Sequence, residues 1–124
     1  MAKYEFTVST EPRFLPEQSD PQAGNYLFAY TITVRNTGAM TAQLLARHWI
    51  ITDAEGQVEE VRGDGVVGEQ PVLRPGEAFQ YTSGCPLATP VGTMHGSYFC
   101  VAEDGTRFEV QIPQFVLSAP RVLH

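Results

Sequence analysis

The chain has 124 residues, the size of one ordinary domain spanning residues 1–124. Eight Lys and Arg stand against fourteen Asp and Glu, a net charge of −6. That balance argues against nucleic acid or an anionic membrane as partner, since phosphates need clustered cations. No apolar run approaches the roughly 20 residues of a membrane span, so no membrane insertion is expected. The sequence around Tyr4–Val8 runs straight into strand alternation, which reads as no signal peptide and a cytoplasmic protein.

In chain order, Tyr4, Phe6 and Val8 share one face of a first strand over 3–14. Pro16 to Gly24 is polar and reads as a loop. The clearest alternation runs over 25–36: Tyr26, Phe28, Tyr30, Ile32 and Val34 on one face, Asn25, Thr31, Thr33 and Arg35 on the other. A helix would scatter those five apolar residues, and their β-branched and aromatic character suits a pleated surface. Gln43 to Ile51 could pass for a helix by composition, but Trp49-Ile50-Ile51-Thr52 and the Asp53–Gly56 turn favour a central strand over 42–53 and a hairpin into 57–62. Further strands are expected over 77–83, 92–102 and 106–117, with Gly84-Cys85-Pro86 a turn. Pro113 cannot donate to a ladder and places the last strand at an edge or a bulge. About seven short strands between regular turn signals predict an all-β fold, an immunoglobulin-like or fibronectin type III-like β-sandwich.

The chemistry-bearing motifs are few. Gly63-Asp64-Gly65-Val66-Val67-Gly68 fits G-x-G-x-x-G. The dinucleotide reading needs a helix after the motif, and Pro71 and Pro75 forbid one there. Two readings remain. Consecutive N–H groups could form an anion nest, with Gly63, Gly65, Val66, Val67 and Gly68 as ligand-binding residues for pyrophosphate. Alternatively the glycines serve a bulged crossover between sheets, the preferred structural reading. Arg47-His48-Trp49 is read with Trp49 in the core and Arg47 either snorkelling or paired with a carboxylate. His48, His95 and His124 are too scattered to hold a metal, and Glu59, Glu60, Asp64 and Glu69 read as a solvated acidic rim. Cys100 reads as a small core residue and Cys85 as more exposed; neither has a neighbouring base to activate it. No catalytic residue, metal or cofactor is expected.

The chain resembles the ApaG family, also called domain of unknown function 525, from about Tyr4 to Leu117. The carriers are Tyr26-x-Phe28-x-Tyr30-x-Ile32, Asn36-x-Gly38 and Gln43-Leu44-Leu45-x-Arg47-x-Trp49-x-Ile51, then Val61-x-Gly63-x-Gly65-Val66-Val67-Gly68-x-Gln70-Pro71-x-Leu73-x-Pro75-Gly76. Phe79-x-Tyr81-x-Ser83, Thr89-Pro90-x-Gly92-x-Met94-x-Gly96-x-Tyr98 and Ile112-Pro113-x-Phe115-x-Leu117 follow. The resemblance implies a fibronectin type III-like sandwich in a small bacterial cytosolic protein. It also implies a gene beside that of a diadenosine tetraphosphatase and a link to cobalt and magnesium efflux. A domain of this kind cannot conduct ions itself, because spanning a bilayer needs long apolar helices or a closed barrel. Related domains in eukaryotic F-box proteins and a polymerase-delta-interacting protein look like interaction modules. The glycine loop is the family's suggested pyrophosphate site.

The expected function is therefore a non-enzymatic binding module for another protein. The alternative is a sensor of pyrophosphate-containing nucleotides such as diadenosine tetraphosphate, through Gly63–Gly68. A weak homodimer is also expected, with Phe115-Val116-Leu117 and Val122-Leu123 docking on a second subunit or folding back onto the same domain.

Overall fold

The computed structural model describes residues 2–120. Eight strands follow in order: β1 (Phe6–Phe14), β2 (Tyr26–Asn36), β3 (Ala42–Asp53), β4 (Val58–Asp64), β5 (Val72–Leu73), β6 (Ala78–Leu87), β7 (Val91–Ala102) and β8 (Arg107–Ser118). Among the described residues there is no α-helix; the polar segment after β1 contains two single 3₁₀ turns, Pro16–Gln18 and Pro21–Ala23, each opened by its proline. The strands form two antiparallel sheets. One has the order β1-β2-β6; the other has the order β4-β3-β7-β8, with β5 beside β3. Stacked, they make the expected sandwich.

The alternation in β2 does what the pattern requires. Phe28, Tyr30, Ile32 and Val34 are buried against the opposite sheet, with Leu44 and Trp49 of β3, Met94 and Tyr98 of β7, and Ile112, Phe115 and Leu117 of β8. The ambiguous segment is strand, with Trp49 at the centre of the core: its ring meets Tyr30 at 5.4 Å, Phe115 at 6.0 Å and Tyr98 at 6.4 Å, all edge-on. Edge-on contact sets the positive ring edge against the negative face. Tyr81 of β6 and Tyr98 of β7 bond hydroxyl to hydroxyl, so the layers are also joined by a buried polar contact. Asn36, buried at the end of β2, donates to Met40 O at 2.9 Å and Leu73 O at 2.8 Å and accepts from Gly38 N at 2.9 Å. That one side chain ties the β2–β3 turn to β5.

Besides small shifts at strand ends, such as β1 starting at Phe6 and β4 running on to Asp64, two departures from the pattern stand out. β5 is an additional strand of two residues, pairing Leu73 with Ala42 and Val72 with Gln43; two residues between prolines have no period to read. β6 continues through Gly84-Cys85-Pro86 to Leu87, where a turn was expected. The reason is phase. Asn36 N–H donates to Glu77 O, so in this unshifted register the odd-numbered residues of β6 bond β2 and the even ones face outward. Pro86 falls on an outward position and costs the ladder nothing. Pro113 lies where β8 shifts register, opposite the Met94–Gly96 step of β7, as its missing donor predicts.

Phenylalanine at position 81 or 98 should each lower unfolding free energy by about 1–3 kcal/mol, because the remaining hydroxyl is left buried and unpaired. The double variant should cost less than the sum of the two, measured as a denaturant double-mutant cycle.

Candidate functional site

The glycine motif begins inside β4 and is organised by β3. Between Leu44 and Ala46 the register of β3 against β7 shifts, a bulge at Leu45. The carbonyl of Leu45 accepts from Gly65 N at 2.7 Å and from Gln70 Nε2 at 2.9 Å. The motif is thereby pinned at both ends to one bulged peptide. Arg47 lies on the neighbouring position. Its Nη1 donates to Asp64 O at 2.9 Å and Gly65 O at 3.0 Å, and its guanidinium occupies the space a side chain at Gly63 would need, 2.7 Å from where Cβ would be. Arg47 thus binds backbone carbonyls where a snorkelling or carboxylate-paired side chain was expected. The ion pairs among the described residues are His48–Glu60, Arg62–Glu60 and Arg74–Glu77.

Beyond Gly65 the chain makes a two-residue hairpin turn. Val66 N donates to Glu69 O at 2.8 Å and Glu69 N to Val66 O at 2.9 Å. Val67 and Gly68 between them both have positive φ, 43° and 82°, the signature of a turn that normally carries Asn-Gly or Gly-Gly. Val66 is fully buried; Val67 is 55% exposed. The motif therefore returns the chain to β5, within the same sheet. The expected bulged crossover is corrected: the bulge belongs to β3, and the chain passes between sheets after β5, through the Arg74–Glu77 turn.

Of the five loop residues named for anion binding, Gly63 lies on the ladder phase bonded to Arg47, and Gly65 and Val66 have their amides committed to protein carbonyls. The amides of Val67 and Gly68 have no acceptor among the described residues. Asp64 and Glu69 flank the turn, and Arg74 is engaged by Glu77 at 3.3 Å.

The remaining candidates are placed as follows. His48 Nε2 meets Glu60 Oε1 at 2.8 Å on the outer face of β3 and β4. Among the described residues no group of three or more His, Cys, Asp or Glu could hold a metal ion; His124, Val122 and Leu123 lie outside them. Cys85 is buried in β6, not exposed in a turn, because the strand continues past it. Burial, with a smaller contribution from the Glu59 carboxylate, pushes its thiol up to about 11. Burial alone pushes Cys100 up to about 12. Both are therefore held as thiols at neutral pH. Phe115 and Leu117 point into this chain's own core, leaving Val116 outward and 53% exposed. The Leu45 carbonyl was missed by sequence reasoning: a bulge is a backbone event with no residue type of its own. Gln70, at fixed spacing from the glycines, was the available signal.

The arrangement defines a two-layer β-sandwich carrying an arginine-braced, strained turn on one sheet. The ApaG domain profile (DUF525) matches residues 16–102. Protein ApaG of Ralstonia nicotianae is 62% identical over 124 residues, all of both chains. Protein ApaG of Bordetella pertussis is 61% identical over 121 residues, 98% of this chain and 92% of that one. The crystal structure of an ApaA protein from Bordetella pertussis superposes with a TM-score of 0.94 at 60% identity, covering 98% of each chain. The chain belongs to the ApaG family.

Replacing Val67 by Asn should raise stability by about 1 kcal/mol, because Asn tolerates positive φ and a β-branched residue does not. The melting temperature should rise by about 4 °C, read by calorimetry.

Proposed function

We propose that the chain is a non-enzymatic binding module of the cytoplasm, and that it engages another protein through the Val67 turn. One observation carries this reading. Val67 is the single non-glycine residue with positive φ among the described residues, and it holds an apolar, β-branched side chain in solvent. Strain of this kind persists where the surroundings enforce it, and it concentrates at sites of recognition. Here the enforcement is visible in the Leu45 carbonyl and the Arg47 bridge on the preceding residues. Val72, following the turn in β5, is a second exposed valine, 58% accessible. On this reading any link to cobalt or magnesium homeostasis runs through the partner.

A second reading is favoured by the free amides of Val67 and Gly68: two adjacent donors at a glycine turn can hold a phosphate oxygen. It keeps two of the five loop amides named for it, with carboxylates on both sides.

One pair of experiments separates them. A native-salt pull-down with wild type and with Val67→Asn should retain a protein on the first and lose it on the second, the variant remaining folded. An amide NMR titration with pyrophosphate and diadenosine tetraphosphate, with and without Mg²⁺, should leave Val66–Glu69 unmoved at millimolar ligand. Saturable shifts confined to those residues would favour phosphate binding, and identical proteins retained by both baits would overturn the partner reading.

A further inference from the structure

Apart from the two-residue β5, which lies in line with β4 beside β3, each sheet ends in two strands, and three of those four carry a proline where the ladder would otherwise extend. On β1, the bonds Leu15 N to Leu27 O and Thr37 N to Glu5 O make the odd residues face β2, so Pro12 faces out. On β6, Pro86 faces out. On β8, Pro113 sits in the register shift. Proline and bulges block the addition of a further strand. β4 has neither: its sequence is Val-Glu-Glu-Val-Arg-Gly-Asp and its pairing with β3 is unbroken from Val58 to Asp64. The bonds Asp53 N to Gln57 O and Gly65 N to Leu45 O put the odd residues of β4 on β3. The amides and carbonyls of Val58, Glu60, Arg62 and Asp64 therefore point away from the sheet.

We propose that this edge pairs with the same edge of a second copy, antiparallel, with Val61 on the two-fold axis. The charges select that register. Two-fold pairing about Val61 sets Glu60 against Arg62 of the second copy and Arg62 against its Glu60, while overlapping all seven residues of the strand. A shift by one bonded step in either direction sets Glu60 on Glu60 or Arg62 on Arg62, and like charges directly opposite are destabilising. On the inner face the same register brings Glu59 to Gly63 of the second copy. That glycine is covered by Arg47, whose guanidinium has no carboxylate in ion-pair range among the described residues. Glu59 supplies one. The interface is isologous, as two-fold dimers require, and it joins the two larger sheets into one. It is a single strand wide and held by rim charges, so association is weak and salt-sensitive.

Sedimentation equilibrium over a concentration series tests the pairing. Wild type should move from monomer toward dimer mass. Glu60→Arg and Arg62→Glu should each raise the dissociation constant about tenfold or more, whereas the two single variants mixed, and the E60R/R62E double variant, should associate again. Val61→Cys under mild oxidation should give a covalent dimer, because facing residues of a non-bonded pair lie within disulfide reach. A wild type that stays monomeric at millimolar concentration overturns the proposal and leaves the edge to a foreign strand. A dimer indifferent to Glu60→Arg, or no cross-link at position 61, also overturns it.

Discussion

A two-layer sandwich buries its faces and leaves its edges, and every edge strand carries backbone donors and acceptors with no partner. That constraint accounts for residues the core does not explain. Pro12, Pro86 and Pro113 each stand in a strand, where proline is otherwise disfavoured, and each stands where its missing N–H is harmless to the existing ladder and obstructive to a new one. β1 and β8 lie together at one side of the sandwich, with Phe6 and Phe108 in edge-on contact at 5.7 Å. β4 and β6 lie at the other. Between them is a cavity of about 180 Å³ lined by Tyr30, Trp49, Glu59, Pro86 and Met94. The sandwich is closed at one side and open at the other, and the open side holds the strand with neither proline nor bulge.

The same side holds the turn at Val67. Its strain is bearable because the backbone around it is fixed. Trp49 anchors β3 in the core, the Leu45 bulge turns a carbonyl outward to receive Gly65 and Gln70, and Arg47 joins the end of β4 to the start of the loop. The glycines serve separate ends. Gly63 makes room for a guanidinium, Gly65 passes close to the Glu69 carbonyl, and Gly68 supplies a backbone angle with nothing near it. A motif that looks like one phosphate cradle is three local solutions in a row.

What was legible in the residues was whatever repeats. Tyr26 to Val34 alternate, and β2 is where the alternation puts it; the same holds for Phe108, Val110 and Ile112 in β8. What was illegible was whatever depends on register. Gly84-Cys85-Pro86 has turn composition, yet lies in β6 because the proline meets the ladder on its outward phase, and this also buries Cys85. Leu45 looks like any leucine in an apolar run, yet its carbonyl orders the candidate site. The charge order Glu59-Glu60-x-Arg62 reads as a solvated rim until the phase of β4 shows which residues share the free edge.

The central claim is that β4, the long edge strand with neither proline nor bulge, pairs with the same edge of a second copy. Amide hydrogen exchange, followed at increasing protein concentration, tests it most directly. The account predicts that Glu60, Arg62 and Asp64 become protected as concentration rises, while Gln80 and Thr82, outward-facing on the proline-bearing β6, exchange at an unchanged rate. Exchange at Glu60 and Arg62 that is as fast at millimolar concentration as at high dilution would contradict it.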